Sequence, residues 1–158
     1  MTPLTTYEFG TQTAPAAPIR LGVTAAILDH TGDRLLLTRR ADNGEWCMPG
    51  GGVDPGESLV EACVREVREE IGVEARVTAL LGTYSWPDIV VVYPDGNRVQ
   101  IVATVFRVEI VAGEPGLSDE VTEVGYFTRD QIAGLTVIPT QRRRIDAVFA
   151  TGEPPFFN

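Results

Sequence analysis

Five charged side chains lie close together in this chain with spacing that could do chemistry: Glu57, Arg65, Glu66, Glu69 and Glu70. Glu57 ends a glycine- and proline-rich run, Gly51-Gly52-Val53-Asp54-Pro55-Gly56, and the other four sit in a segment of helical period. At about 100° per residue, Glu66 and Glu70 stack one turn apart with Glu69 beside them. Like charges so placed cost about 0.2–0.5 kcal/mol per pair, a repulsion that a hard dication would turn into binding. Oxygen-only ligation suits Mg2+ or Mn2+. Taken alone, the helix also fits an ordinary acidic surface, with Arg65 and Arg68 in solvated ion pairs.

The element that must position these groups has its limits written in the sequence. Ser58 followed by Glu61 is a capping-box pair that opens a helix, and Gly72 supplies the left-handed position that ends it. Val60, Val64, Val67 and Ile71 recur as the stripe of a helix laid on a core, which puts the three glutamates on the roughly opposite face. A glycine loop, a helix and a second loop thus form one unit.

Written out, Gly51-x5-Glu57-x7-Arg65-Glu66-Val67-x-Glu69-Glu70-x-Gly72-Val73 resembles the Nudix box of the Nudix (MutT-like) hydrolases at every defined position. The likeness continues through Trp46-x-Met48-Pro49-Gly50-Gly51 and, more loosely, over about residues 20–150. It implies an α/β protein of Nudix fold, an α/β/α sandwich with a mixed sheet. It also implies hydrolysis of a nucleoside diphosphate linked to another group, by in-line attack of water, with two to three Mg2+ or Mn2+ ions bridging the diphosphate. Carried over by position, Glu66 and Glu70 resemble the principal metal ligands, and Glu69 a further ligand or the water-activating base. Gly50 would add a backbone carbonyl. Arg65 resembles the residue that orients the glutamates, and Glu57 the one that supports the loop or reaches a second metal. An acidic residue from the polar loop at residues 117–123 often completes such sites; Glu120 is the best match and Glu123 the second. The general base is left among Glu69, Glu66 and Glu120. Arg40 matches an arginine that often contacts phosphate, and Arg39 stands beside it.

The group linked to the diphosphate is not encoded in the box. Pro87, fourteen residues beyond Val73, falls near a proline associated with ADP-ribose hydrolases, while Tyr84-Ser85-Trp86-Pro87-Asp88 also looks like a stretch of nucleoside triphosphate pyrophosphohydrolases. Tyr84, Trp86 and Arg98, with Tyr93, offer aromatic faces and a cation to a base, where stacking contributes about 1–3 kcal/mol; they fit plain hairpin packing equally well. Nudix-like domains also serve as nucleotide-sensing modules that have often lost box carboxylates. Here Arg65, Glu66, Glu69 and Glu70 are all present, which favours hydrolysis.

The chain has 158 residues, 44% of them hydrophobic and 22% charged, which suits one globular domain. A formal net charge of −9 disfavours a nucleic-acid polymer as partner but not a small phosphorylated ligand held through metal. No apolar run approaches the ~20 residues of a membrane span, and residues 1–18 lack a signal-peptide pattern; a cytoplasmic location without membrane partners is expected. Cys47 and Cys63 give no disulfide framework, and Cys63 is expected in the core. His30 sits in a turn-like run, so serine–histidine hydrolysis is disfavoured.

Along the chain, residues 1–18 read as a tail in which Tyr7-Glu8-Phe9 can add an edge strand, residues 19–152 as the domain and residues 153–158 as a second tail. Residues 21–28 and 34–38 are expected to pair as a hairpin. A strand over residues 75–81 is followed by a break at residues 82–88, and residues 89–93 and 98–110 form a second hairpin around Pro94-Asp95-Gly96-Asn97. After a strand at residues 124–127, Thr128 and Gln131 form a capping box, and Thr140 is expected to cap a last helix through Ala150. The tail and the long hairpin could pair in a homodimer.

Overall fold

The computed structural model describes residues 4–10, 17–150 and 155–157. In chain order the strands are β1 (Thr6–Phe9), β2 (Ile19–Ala26), β3 (Arg34–Arg40), β4 (Trp46–Cys47), β5 (Gly50–Gly52), β6 (Glu74–Ser85), β7 (Ile89–Val92), β8 (Arg98–Ala112), β9 (Val121–Thr128) and β10 (Phe156–Phe157). The helices are α1 (Leu59–Ile71), α2 (Arg129–Ala133) and α3 (Arg142–Val148), the last preceded by a 3-10 turn at Pro139–Gln141.

The long, β-branched β8 organises the larger sheet. Its first residues pair antiparallel with β7 and the rest with β6 along the same edge, while β2 runs parallel along the other. β1 extends the sheet beyond β7, β5 pairs antiparallel with β2, and β10 runs parallel to β6. A second sheet has the order β4-β3-β9. The mixture of parallel and antiparallel pairs is the mixed sheet expected.

Alternation along the strands divides the core in two, because successive side chains point to opposite faces. Val23, Ala25 and Ile27 from the β2 region pack with Leu36, Phe106 and Val108 against Ala62, Cys63, Val67 and Ile71 of α1. Ala26, Leu35, Leu37, Met48 and Val105 pack instead with Ile132 of α2 and with Ile145 and Val148 of α3. Helices therefore cover both faces, an α/β/α sandwich.

Several expectations are corrected. The hairpin expected of residues 21–28 and 34–38 forms only at its tip, where Leu28 bridges Leu35 and Ile27 and Asp29 exchange backbone bonds with Leu36 and Arg34; beyond it β2 and β3 diverge into different sheets. β6 does not break at Gly82 but runs on to Ser85, absorbing three register shifts between Glu74 and Gly82. Val60 is exposed, so the buried side of α1 runs through Ala62, Cys63, Val67, Glu70 and Ile71. The capping boxes of Ser58 with Glu61 and Thr128 with Gln131 form as expected, and Gly72 takes a left-handed φ of 73°. Thr140 caps nothing; it lies inside the 3-10 turn, and α3 starts after Gln141 without a side-chain cap. Tyr7-Glu8-Phe9 does form an edge strand, and residues 156–157 pair with β6. The last helix, expected to run through Ala150, ends at Val148, and Gly152 and Pro154 beyond it fall outside the described residues.

Candidate active site

The site forms where α1 crosses the short strand β5. Gly50 pairs with Thr24 of β2 at a φ of 151°, and a Cβ there would lie 2.1 Å from the Val23 carbonyl oxygen. Only glycine fits so close to a neighbouring backbone. A Cβ on Gly51 would meet the Glu66 carboxylate at 2.6 Å, so the absence of side chains on β5 is what lets that carboxylate lie against the strand.

Arg65 ties the loop to the helix. Its Nε and Nη2 donate to Glu57 Oε1 and Oε2 at 2.6 and 2.9 Å, the two-pronged geometry that makes arginine–carboxylate pairs strong. Nη2 also donates to the Gly52 carbonyl at 3.0 Å, and Nη1 to Glu66 Oε1 at 2.9 Å and Glu69 Oε2 at 3.0 Å. Glu57 in turn accepts from the Asp54 N–H at 3.0 Å. Hydrogen bonds from Arg65 hold the Glu57 carboxyl down at about 2.

Glu70 is 7% exposed and turns inward rather than onto the solvent face expected for it. Its Oε2 accepts from the Gly50 N–H at 3.1 Å. Burial pushes its carboxyl up to about 8 against that bond, with Glu66 and Glu120 adding repulsion. Burial likewise raises Glu66, against the pull of Arg65 and helped by the charges of Glu69 and Glu120. Glu69 points outward, its side chain 59% exposed. Glu120 is exposed on the loop before β9 and lines a cleft with Glu70, Arg40, Asp42 and Asp119. Three carboxylates from two elements thus repel one another around one cleft.

Those hard oxygen donors, only partly neutralised by Arg65 on Glu66 and by the charge of Arg40 near Glu70, fit a divalent ion. No group of three or more His, Cys, Asp or Glu side chains is drawn tightly enough to cage an ion among the described residues.

Known proteins decide what this arrangement belongs to. The profile of the NUDIX domain matches residues 18–149. The chain belongs to the Nudix family. It is 33% identical over 146 residues to a MutT-like protein of Streptomyces ambofaciens, covering 92% of this chain and 88% of the relative. It is 34% identical over 106 residues to an ADP-ribose pyrophosphatase of Methanocaldococcus jannaschii, covering 65% of this chain and 59% of that protein. The crystal structure of a MutT protein from Methanosarcina mazei Go1 superposes with a TM-score of 0.69 at 28% identity, over 84% of this chain and 94% of the other.

Beside the Nudix helix, Arg40 stands half-buried at the end of β3, held by Asp42 through two bonds of 2.7 Å. Thr5 Oγ1 donates to the same aspartate at 2.7 Å, so the segment leading into β1 helps fix Arg40. Arg40 also lines a second cavity with Gly50–Gly52, Tyr7, Tyr93, Arg20 and Arg144. The other residues expected to bind substrate lie elsewhere. Arg39 is exposed and occupied by Glu123 at 2.5 Å and by the Gly44 carbonyl at 2.9 Å. Arg98 pairs with Glu8 of β1. Tyr84 and Trp86 are buried in the core under α3, and the Arg143 guanidinium lies 4.9 Å from the centre of the Trp86 ring. They present no open face to a base, because β6 continues as a strand and carries them inward.

Sequence reasoning missed Asp42, Asp119, Arg20 and Arg144. Arg144 belongs to the run Arg142-Arg143-Arg144, which is visible in the sequence, but nothing there singles out the third arginine.

Proposed function

We propose that this chain is a metal-dependent Nudix pyrophosphohydrolase that cleaves a phosphoanhydride bond in a small nucleoside diphosphate derivative by attack of water. The observation that carries this is the Arg65 network, which holds Glu57, Glu66 and Glu69 in one frame beside buried Glu70. Names of relatives support the same chemistry: one is an ADP-ribose pyrophosphatase, though this chain matches only 59% of its length.

Glu66 and Glu70 are the principal ligands for Mg2+ or Mn2+, with Glu69 and Glu120 available from the rim and the Gly50 carbonyl beside them. Bound there, the ions would neutralise the diphosphate and lower the pKa of an attacking water. Glu57 is committed to Arg65 through both oxygens, so it supports the loop. Arg65 is a positioning residue: it fixes Glu66 and Glu69 and touches no substrate. Arg40, already oriented by Asp42, faces both cleft and cavity and takes a phosphate oxygen of the substrate. Glu120 is the favoured proton acceptor. It comes from a different element, is open to solvent and, among the described residues, its carboxylate is bonded to no guanidinium.

Hydrolysis in 18O-labelled water with Mg2+ tests this reading. One 18O should appear in a single phosphate product of a cleaved diphosphate, and chelation should abolish it. Binding of the same compounds with no labelled product would instead make this a sensing module.

A further inference from the structure

Gln141 is a buried amide that serves the backbone of one distant residue. It is 8% exposed. Its Oε1 accepts from the Met48 N–H at 2.7 Å, and its Nε2 is aimed back at the Met48 carbonyl at 3.5 Å. A primary amide carries both a donor and an acceptor, so this side chain does for Met48 what a neighbouring strand would do. Gln141 stands at the N-cap of α3, yet its side chain caps nothing there. Packing does not call for an amide either, because burying one costs stability unless it is bonded, and Ile145 and Val148 already anchor α3 in the core.

Met48 lies where the chain crosses from one sheet to the other. Cys47 ends β4 and Gly50 begins β5, and these two strands belong to different sheets. Between them Pro49 has no N–H to give, and its carbonyl accepts from the Ala25 N–H at 2.8 Å. Next come Gly50–Gly52, three residues of the type with most backbone freedom to lose. Pairing with β2 fixes them along one edge. Arg65 fixes their far end, donating to the Gly52 carbonyl at 3.0 Å. At their near end the Gly50 N–H bonds Glu70 at 3.1 Å, two residues along the chain from the bond that Gln141 makes.

We propose that Gln141 is a positioning residue for the metal site: through Met48 it sets the Gly50 peptide, whose N–H holds Glu70 and whose carbonyl is offered to the ion. This rests on the metal-dependent chemistry proposed above. It makes α3, which supplies none of the proposed ligands, the counterpart of Arg65 at the other end of the glycine strand.

Titration of the full chain with Mn2+, followed by the electron paramagnetic resonance of the free ion, tests this without turnover. Gln141→Met keeps much of the length and loses both bonds, while Gln141→Asn keeps the amide on a stem too short to reach Met48. Each should bind Mn2+ about ten- to hundred-fold more weakly than the wild type, the loss usual when a group that orients a ligand is removed. Ile145→Val loosens the same helix without touching Met48; it should melt lower and keep the wild-type affinity, a separation that a merely structural role for Gln141 would not give. Wild-type affinity in a folded Gln141→Met or Gln141→Asn would overturn the proposal, and so would an equal loss in Ile145→Val. Failure of both Gln141 variants to fold would also overturn it, by making the residue a support of the fold alone. A wild-type protein that binds no Mn2+ would remove the metal reading and this proposal together, an outcome distinct from the other three.

Discussion

Burial of Glu70 beneath β5 leaves its carboxylate two ways to be satisfied, a proton or a cation. The single Gly50 N–H at 3.1 Å does not suffice, which is why its carboxyl sits near 8. Glu70→Gln keeps the shape and the bond from Gly50 and removes the charge. That variant should melt within a few degrees of wild type and lose metal-dependent turnover by about a hundred-fold or more; wild-type rates would take Glu70 out of the metal site. Spacing alone made neighbours of Glu66, Glu69 and Glu70, because one turn of helix fixes that, while the role of Arg65 came only with the resemblance to the Nudix box. Arg144 could not be singled out from the sequence. Arg142 bonds the Leu135 carbonyl, Arg143 lies over Trp86 and Arg144 is buried, so three adjacent arginines differ only through the rotation of α3.

α1 depends on its ends and on one buried side. Ser58 Oγ accepts from the Glu61 N–H, and Glu61 accepts from the Ser58 N–H at 2.8 Å. Ser58→Ala should lower stability by about 1 kcal/mol in denaturant titrations. These bonds to Ser58 hold the Glu61 carboxyl below its ordinary 4.5. A carboxyl lowered in the folded state stabilises above its unfolded value and loses that contribution as the pH falls through the folded one. Stability should therefore decline on acidification below about 4.5, less steeply in Glu61→Gln; an identical acid profile in that variant would remove the capping box from the acid response. Val67 is fully buried against the core, and Val67→Asp would place an unpaired carboxylate there at several kcal/mol. No cooperative melt should survive, and a normal one would mean that the buried side of α1 is wrongly placed. The caps at Ser58, Gly72 and Thr128 were plain in the sequence because they are local chemistry, whereas the one expected at Thr140 does not form; the face of α1 was rotated, since the Val60 stripe assumed that every charge faces water, and Glu70 does not. The hairpin of β2 and β3 stops at its tip for a related reason. A turn brings two strands close, and only tertiary packing decides whether they share a sheet.

The whole molecule places a carboxylate cleft and a cation-lined cavity on either side of Arg40, with β1 and β5 both contributing to the cavity wall. The sandwich was foreseeable from the order of elements and the resemblance, while the cavity was not, since its walls come from strands far apart in sequence. Its charge pattern runs against the net charge of the chain, which the proposed binding of a diphosphate between metal-bound carboxylates and Arg40 would reconcile. The most direct measurement is phosphate release from ADP-ribose, nucleotide sugars, dinucleoside polyphosphates and nucleoside triphosphates, coupled to phosphatase or pyrophosphatase as each product requires, with Mg2+ and with Mn2+. Turnover of at least one class that depends on the metal and vanishes on chelation is the expected result. Absence of turnover across all of them, with Mg2+-dependent thermal stabilisation by one, would contradict the hydrolase and leave a nucleotide-binding module.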